Sequence, residues 1–112
     1  MKKNDFAEYV IHDLLGTMNG ITARAMFGGH SLYKDGMIFG IIADGQLYFK
    51  TDEETQKKYK QFDSKPFVYS KGKVKSTTMS YWELPSEIID NPEELQKWVL
   101  ESSRISREQK KK

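Results

Sequence analysis

Met37-Ile38-Phe39-Gly40-Ile41-Ile42-Ala43 lies between two Asp-Gly turns, Lys34-Asp35-Gly36 before it and Asp44-Gly45 after it. Asp-Gly between apolar runs is a strong short-range hairpin signal, because the favoured two-residue turn needs positive φ. The stretch is therefore expected to be a central strand, antiparallel to Ser31-Leu32-Tyr33 on one side and to Gln46–Lys50 on the other. Its residues do not alternate polar with apolar, so both of its faces call for cover. Helices take one face. In a chain of 112 residues a second subunit is the economical cover for the other. The expected homodimer buries Met26, Tyr33, Ile38, Ile42 or Tyr48 across the sheet, with Leu100 a lesser candidate.

Outward from this strand the period stays at two. Ile21-Thr22-Ala23-Arg24-Ala25-Met26-Phe27 puts Ile21, Ala23, Ala25 and Phe27 on one face, and Thr22, Arg24 and Met26 on the other. Gly28-Gly29 then breaks or bulges the strand. Before it, Phe6, Ala7, Val10, Ile11, Leu14, Leu15 and Met18 share half of a helical wheel. Asp5 and Glu8 form a capping box, and Gly16 or Gly20 ends the helix. After the meander, Thr51 with Glu54 makes a second capping box for a lysine-rich helix to about Phe62. Phe67-Val68-Tyr69 reads as a strand, Ser70–Lys73 as a turn, and Val74 to Trp82 as a second β segment. Pro85 starts a single turn over Ser86–Asp90.

Asn91-Pro92-Glu93-Glu94 has the residues of a helix start: an Asn cap, Pro at the first position and Glu at the third. Leu95, Trp98, Val99, Ser102 and Ile105 line one face of that last helix, with Leu100 opposite. The order α-β-β-β-β-α-β-β-α predicts an α+β, two-layer domain whose antiparallel sheet carries helices mainly on one face. Residues 1–103 form the domain and 104–112 a basic tail, which is expected to fray beyond Ile105.

Composition narrows the function classes. Hydrophobic residues at 38% with 12% aromatics are too rich for a disordered segment. The absence of cysteine excludes disulfides, thiol nucleophiles and thiolate metal sites. Neither a secretory leader nor a membrane span fits the sequence, so a cytoplasmic domain without membrane contact is expected. Arg104, Arg107, Lys110, Lys111 and Lys112 against Glu108 give the tail a charge of +4, which leaves the other 103 residues at −2. One internal stretch runs against that acidic body. Lys57, Lys58, Lys60, Lys65, Lys71, Lys73 and Lys75 face only Asp63, interleaved with Tyr59, Phe62, Phe67 and Tyr69 and followed by Tyr81 and Trp82. Lysines among aromatics are the composition of a single-strand stacking platform, with Lys57, Lys58, Lys60, Lys71, Lys73 and Lys75 as its phosphate contacts. The same composition builds a solvated edge around a small core, which is the commoner outcome.

Chemistry finds little purchase. His12 falls on the polar side of the first helix and His30 follows a turn, with nothing bringing them to metal-ligand spacing. Ser102 and Ser103 have no evident base, the acids scatter, and no glycine-rich phosphate loop exists. No catalytic, cofactor or metal residue is assigned, and no enzyme is expected. Arg24, the one charge in its strand, either reaches an anion or partner carboxylate, or is held in an intramolecular ion pair or snorkels at the sheet edge.

Thr22-Ala23-Arg24-Ala25-Met26-Phe27-Gly28-Gly29, the Tyr33-Lys34-Asp35-Gly36 turn and Tyr81-Trp82-Glu83-Leu84-Pro85, in that order, resemble the TfoX (Sxy) N-terminal domain family. The residues that carry the resemblance are Arg24, Met26, Phe27, Gly28, Gly29, Tyr33, Gly36, Phe39, Tyr48, Lys50, Pro66, Phe67, Tyr69, Tyr81, Leu84 and Pro85. The resemblance implies a secretion-chaperone-like two-layer fold. It also implies a non-enzymatic bacterial role, since founding members regulate natural DNA competence as co-activators alongside a cyclic-AMP-responsive transcription factor. Those regulators carry a second, C-terminal domain where this sequence has only a basic tail. The expected function is a regulatory module acting through protein contacts, with a transcription factor as the candidate partner. The alternatives are weak nucleic-acid binding by the 57–75 segment and tail, or small-molecule sensing on the sheet's second face.

Overall fold

The computed structural model describes residues 3–16, 18–26, 29–43, 45–69 and 77–110, excluding the side chains of 3–5, 26, 68, 69, 77–79 and 110. Six strands form one antiparallel sheet: β1 (Ile21–Met26), β2 (Gly29–Lys34), β3 (Met37–Ala43), β4 (Gln46–Lys50), β5 (Pro66–Tyr69) and β6 (Thr77–Glu83). Their order across the sheet is β1-β2-β3-β4-β6-β5. The first Asp-Gly turn has the expected backbone, with Asp35 at φ 51° and Gly36 at φ 84°. The fold is α+β, as the alternation and turn chemistry predict.

The described helices all pack on one face of the sheet. α1 (Lys3–Glu8) runs into a π-helical segment at Tyr9–Leu14, α2 spans Glu53–Gln61, α3 Ser86–Ile89 and α4 Pro92–Lys110. Ala7, Val10, Tyr59, Leu95, Trp98 and Val99 from these helices meet Leu32, Phe39, Ile42, Leu47, Phe49 and Trp82 from the sheet in a single core. Edge-to-face pairs tie the layers internally, Phe39 on Phe49 at 5.3 Å and Tyr59 on Trp98 at 4.8 Å. The apolar face expected of the last helix is buried from Leu95 to Ile105, and Leu100 is exposed.

Local details depart from expectation for physical reasons. The first helix begins at Lys3, so Asp5 lies inside it and is not its N-cap. It then widens: the Leu15 N–H donates to the Val10 carbonyl five residues back, which keeps Val10 and Leu15 buried but breaks the 100° wheel. The cap of α2 is Asp52, one residue later than Thr51. Asp52 Oδ1 accepts from the Thr55 N–H at 2.9 Å and Thr55 Oγ1 accepts from the Asp52 N–H at 3.0 Å. Thr51 is unavailable because its hydroxyl and its N–H both donate to the Ser80 carbonyl on β6. The last helix does not end at Ile105. It continues to Lys110, with Arg104 paired to Glu108 at 2.9 Å one turn on.

One irregularity decides which side chains face where. Across β2 and β3, Leu32 opposes Gly40 while Tyr33 opposes Ile38, so Phe39 is an extra residue bulged out of the ladder. A bulge reverses the inside–outside alternation beyond it. Gly40 sits in that kink because a Cβ there would lie 2.6 Å from the Tyr48 carbonyl and 3.0 Å from the Phe49 ring.

Candidate functional site

Opposite the helices, the ladder registers assemble a second surface. Ser31 pairs with Ile41, Ile41 with Tyr48, Tyr33 with Ile38, and Lys50 with Tyr81, all on the face away from the core. Tyr48 is packed by Phe67, ring centroids 4.9 Å apart and inclined at 63°. Lys50 Nζ lies 5.1 Å from the Tyr81 ring centre and donates to Ser80 Oγ at 3.3 Å. Ile41 is 5% exposed and Tyr81 7%, although neither belongs to the helix-side core and no described helix covers this face. The surface has its own packed floor.

Burial perturbs two titratable groups of this face. Burial lowers the Lys50 ammonium below its ordinary pKa. Burial also raises the Tyr81 phenol. The face is a tyrosine-lined surface that carries a partly desolvated cation, Lys50.

Of the expected interface residues, Tyr33, Ile38 and Tyr48 are half-buried on this face. Ile42 is not there: it is 3% exposed within the helix-side core, because the bulge at Phe39 puts it out of phase with Ile38. Ile41 takes its place, and Gly40 was the sequence signal for the switch. The Met26 side chain lies outside the described residues. Leu100 is 52% exposed on α4, opposite that helix's buried face.

The residues carrying the family resemblance divide in two. Tyr33, Tyr48, Lys50, Phe67 and Tyr81 converge on the open face, while Phe39 and Leu84 are core and Pro85 is buried at the start of α3. Gly36 makes a turn, Pro66 opens β5, and a Cβ on Gly29 would collide with the Ile42 carbonyl. Arg24 is exposed and makes no ion pair with another described residue. Phe27, Gly28 and the Tyr69 side chain lie outside the described residues.

Where it is described, the lysine run is partly engaged by neighbours, while Lys57, Lys60 and Lys65 remain exposed. Lys57 pairs with Glu54 at 3.4 Å, Lys58 with Glu101 at 2.5 Å while lying 4.1 Å over Trp98, and Lys60 approaches the Trp82 ring at 5.9 Å. Lys71, Lys73 and Lys75 fall outside the described residues. His12 is spent on Glu8 at 2.9 Å, and His30 is half-buried opposite Ile42. Among the described residues no group of three His, Cys, Asp or Glu side chains could hold a metal. No described helix is long and apolar enough to cross a membrane. Ser102 donates to the Lys50 carbonyl at 2.8 Å, a structural bond joining α4 to β4. The neighbouring Tyr59 hydroxyl is buried without a hydrogen bond to any described residue, and burial pushes its pKa up. Clefts of about 400 and 450 Å³ lie beside Phe62, one toward Leu84 and Ile89 and the other toward Ile88 and Trp98; neither is lined by a tyrosine of the open face.

Residues 13–105 match the TfoX N-terminal domain family. The chain is 30% identical over 91 residues to DNA transformation protein TfoX1 of Aliivibrio fischeri, covering 79% of this chain and 43% of that protein. It is 27% identical over 83 residues to protein Sxy of Escherichia coli, covering 74% of this chain and 39% of that protein. The chain thus matches about two fifths of the length of these relatives.

Proposed function

Because the chain belongs to the TfoX N-terminal domain family, we propose that it is a cytoplasmic, non-enzymatic regulatory module of DNA transformation that docks a partner protein on its tyrosine-lined sheet face. The carrying observation is the convergence of Tyr33, Tyr48, Lys50, Phe67 and Tyr81 on a face that no described helix covers. Tyrosines suit such a surface: each offers a large apolar ring and a polar tip at low conformational cost. Lys50, held against Tyr81 and already partly desolvated, is placed to meet an acidic group without paying its full dehydration on binding. A transcription factor is the candidate partner, in keeping with a regulatory role.

The test is complementation of a deletion strain, scored by transformation frequency or a reporter of the regulated genes. Tyr33→Ala and Ile38→Glu, both at half-buried positions, should abolish activity while far-ultraviolet circular dichroism stays unchanged. Lys57→Glu and Lys60→Glu should leave activity intact. Full activity from folded Tyr33→Ala and Ile38→Glu proteins would refute the docking face.

A further inference from the structure

The two edges of the sheet are built differently. β5 is a protected edge: it opens with Pro66, which has no N–H to offer, and its register against β6 slips between Pro66 and Val68. Such devices keep a sheet from pairing with another chain. β1 has none of them. All six of its residues pair in unbroken register with β2, and it contains no proline, no lysine and no bulge. Thr22, Arg24 and Ala25 are exposed, and among the described residues no backbone hydrogen bond joins β1 to anything beyond β2. An edge six residues long, regular in register and guarded only by the charge of Arg24, is a template for one more strand.

We propose that this strand is β1 of a second copy, joined antiparallel about a two-fold axis at Ala23, so that two six-stranded sheets become one. The occupant follows from the side chains of β1 itself. With the axis at Ala23, Thr22 of each copy opposes Arg24 of the other, and Ile21 opposes Ala25. Moving the axis to Arg24 would set the two guanidiniums against each other, a destabilising pair. On the helix side, Ile21 and Ala23 already pack on the core, and the pairing extends that layer with large residues facing small ones. Arg24, which makes no ion pair with another described residue, gains a hydroxyl acceptor in its neighbour. The second copy expected from the two-faced central strand is thus placed at an edge, and the tyrosine-lined face stays open to a different protein.

The absence of cysteine makes the register directly testable. Directly opposed residues stand about 4.5–5.5 Å apart across a ladder, within the span of a disulfide, whereas diagonal neighbours stand about 7–8 Å apart. Thr22→Cys and Arg24→Cys change exposed side chains. Mixed under mild oxidant, the two single variants should form a covalent dimer, and each alone should form about tenfold less. Light scattering of the unmodified chain should show a dimer at high micromolar concentration. Thr22→Lys, which sets two lysines against two arginines, should weaken it about two- to thirtyfold, and adding Arg24→Glu should restore it. A monomer at that concentration would overturn the proposal. So would a dimer in which the mixed pair fails to cross-link, one in which either variant cross-links as well alone, or capture of an extended peptide by a monomeric β1. None of these outcomes bears on the complementation test of the sheet face.

Discussion

Ile38 and Ile42 are four positions apart in one strand, and strict alternation makes them equivalent. The bulge at Phe39 makes them opposite, and stability should register the difference. Ile42 is 3% exposed in the helix-side core, between Leu47 on β4 and His30 on β2. Truncating such a residue to alanine removes buried methylenes and leaves a cavity, at a cost of about 2–5 kcal/mol; the gentler Ile42→Val should cost about 0.5–1.5 kcal/mol. Ile38 is half-buried on the open face, where neighbouring side chains can relax and water can fill the gap. Ile38→Ala should cost under about 1 kcal/mol, and Ile38→Val almost nothing. Urea titration gives the comparison directly, as a shift in midpoint at constant slope. Equal losses for the two alanine variants, within about 0.5 kcal/mol, or a larger loss at Ile38, would refute the bulge phase. The composition of the proposed docking face would fall with it.

The Asp52 cap carries a pH signature. Partial burial opposes its charge, but the bonds from Thr55 and the nearby Arg104 outweigh that and hold its carboxyl below the ordinary 3.8. Its stabilisation should be fully present above pH 3.8 and vanish as pH falls through the lower folded value. Asp52→Ala should cost about 0.5–2 kcal/mol at neutral pH, and the gap from the parent should close in acid denaturation curves. Duplex DNA should bind no more tightly than about 10⁻⁴–10⁻⁶ M at physiological salt, with log affinity falling by about 0.9 per neutralised phosphate for each unit of log salt. Lys71→Glu with Lys73→Glu should leave regulatory activity unchanged. With about four to six of the lysines in the 57–75 segment on phosphates, affinity should drop by roughly 10²–10³ between 50 and 200 mM salt. Nanomolar binding that survives 200 mM salt and disappears in that double variant would make the 57–75 segment the functional surface.

Much of the molecule is written locally. The apolar stripe Leu95, Trp98, Val99, Ser102 and Ile105, with Leu100 opposed, is legible because a helix repeats every few residues whatever surrounds it. The hairpin at Asp35-Gly36 is legible because few residues accept positive φ. Chain order and turn chemistry alone therefore determine an antiparallel α+β domain.

Features that depend on distant partners were not legible. Thr51 has the chemistry of an N-cap and loses that role to Asp52 because Ser80, on a strand 29 residues away, claims its hydroxyl. Gly40 hints at an irregular strand, but whether it marks a bulge depends on which residues of β2 and β4 lie against it. The same holds for the open face. Tyr33, Tyr48, Phe67 and Tyr81 lie on four strands, and their convergence follows from the order β4-β6-β5 together with one extra residue at Phe39. A side chain's period comes from its own backbone. Its neighbours come from the register of strands far away in sequence, which only the folded sheet decides.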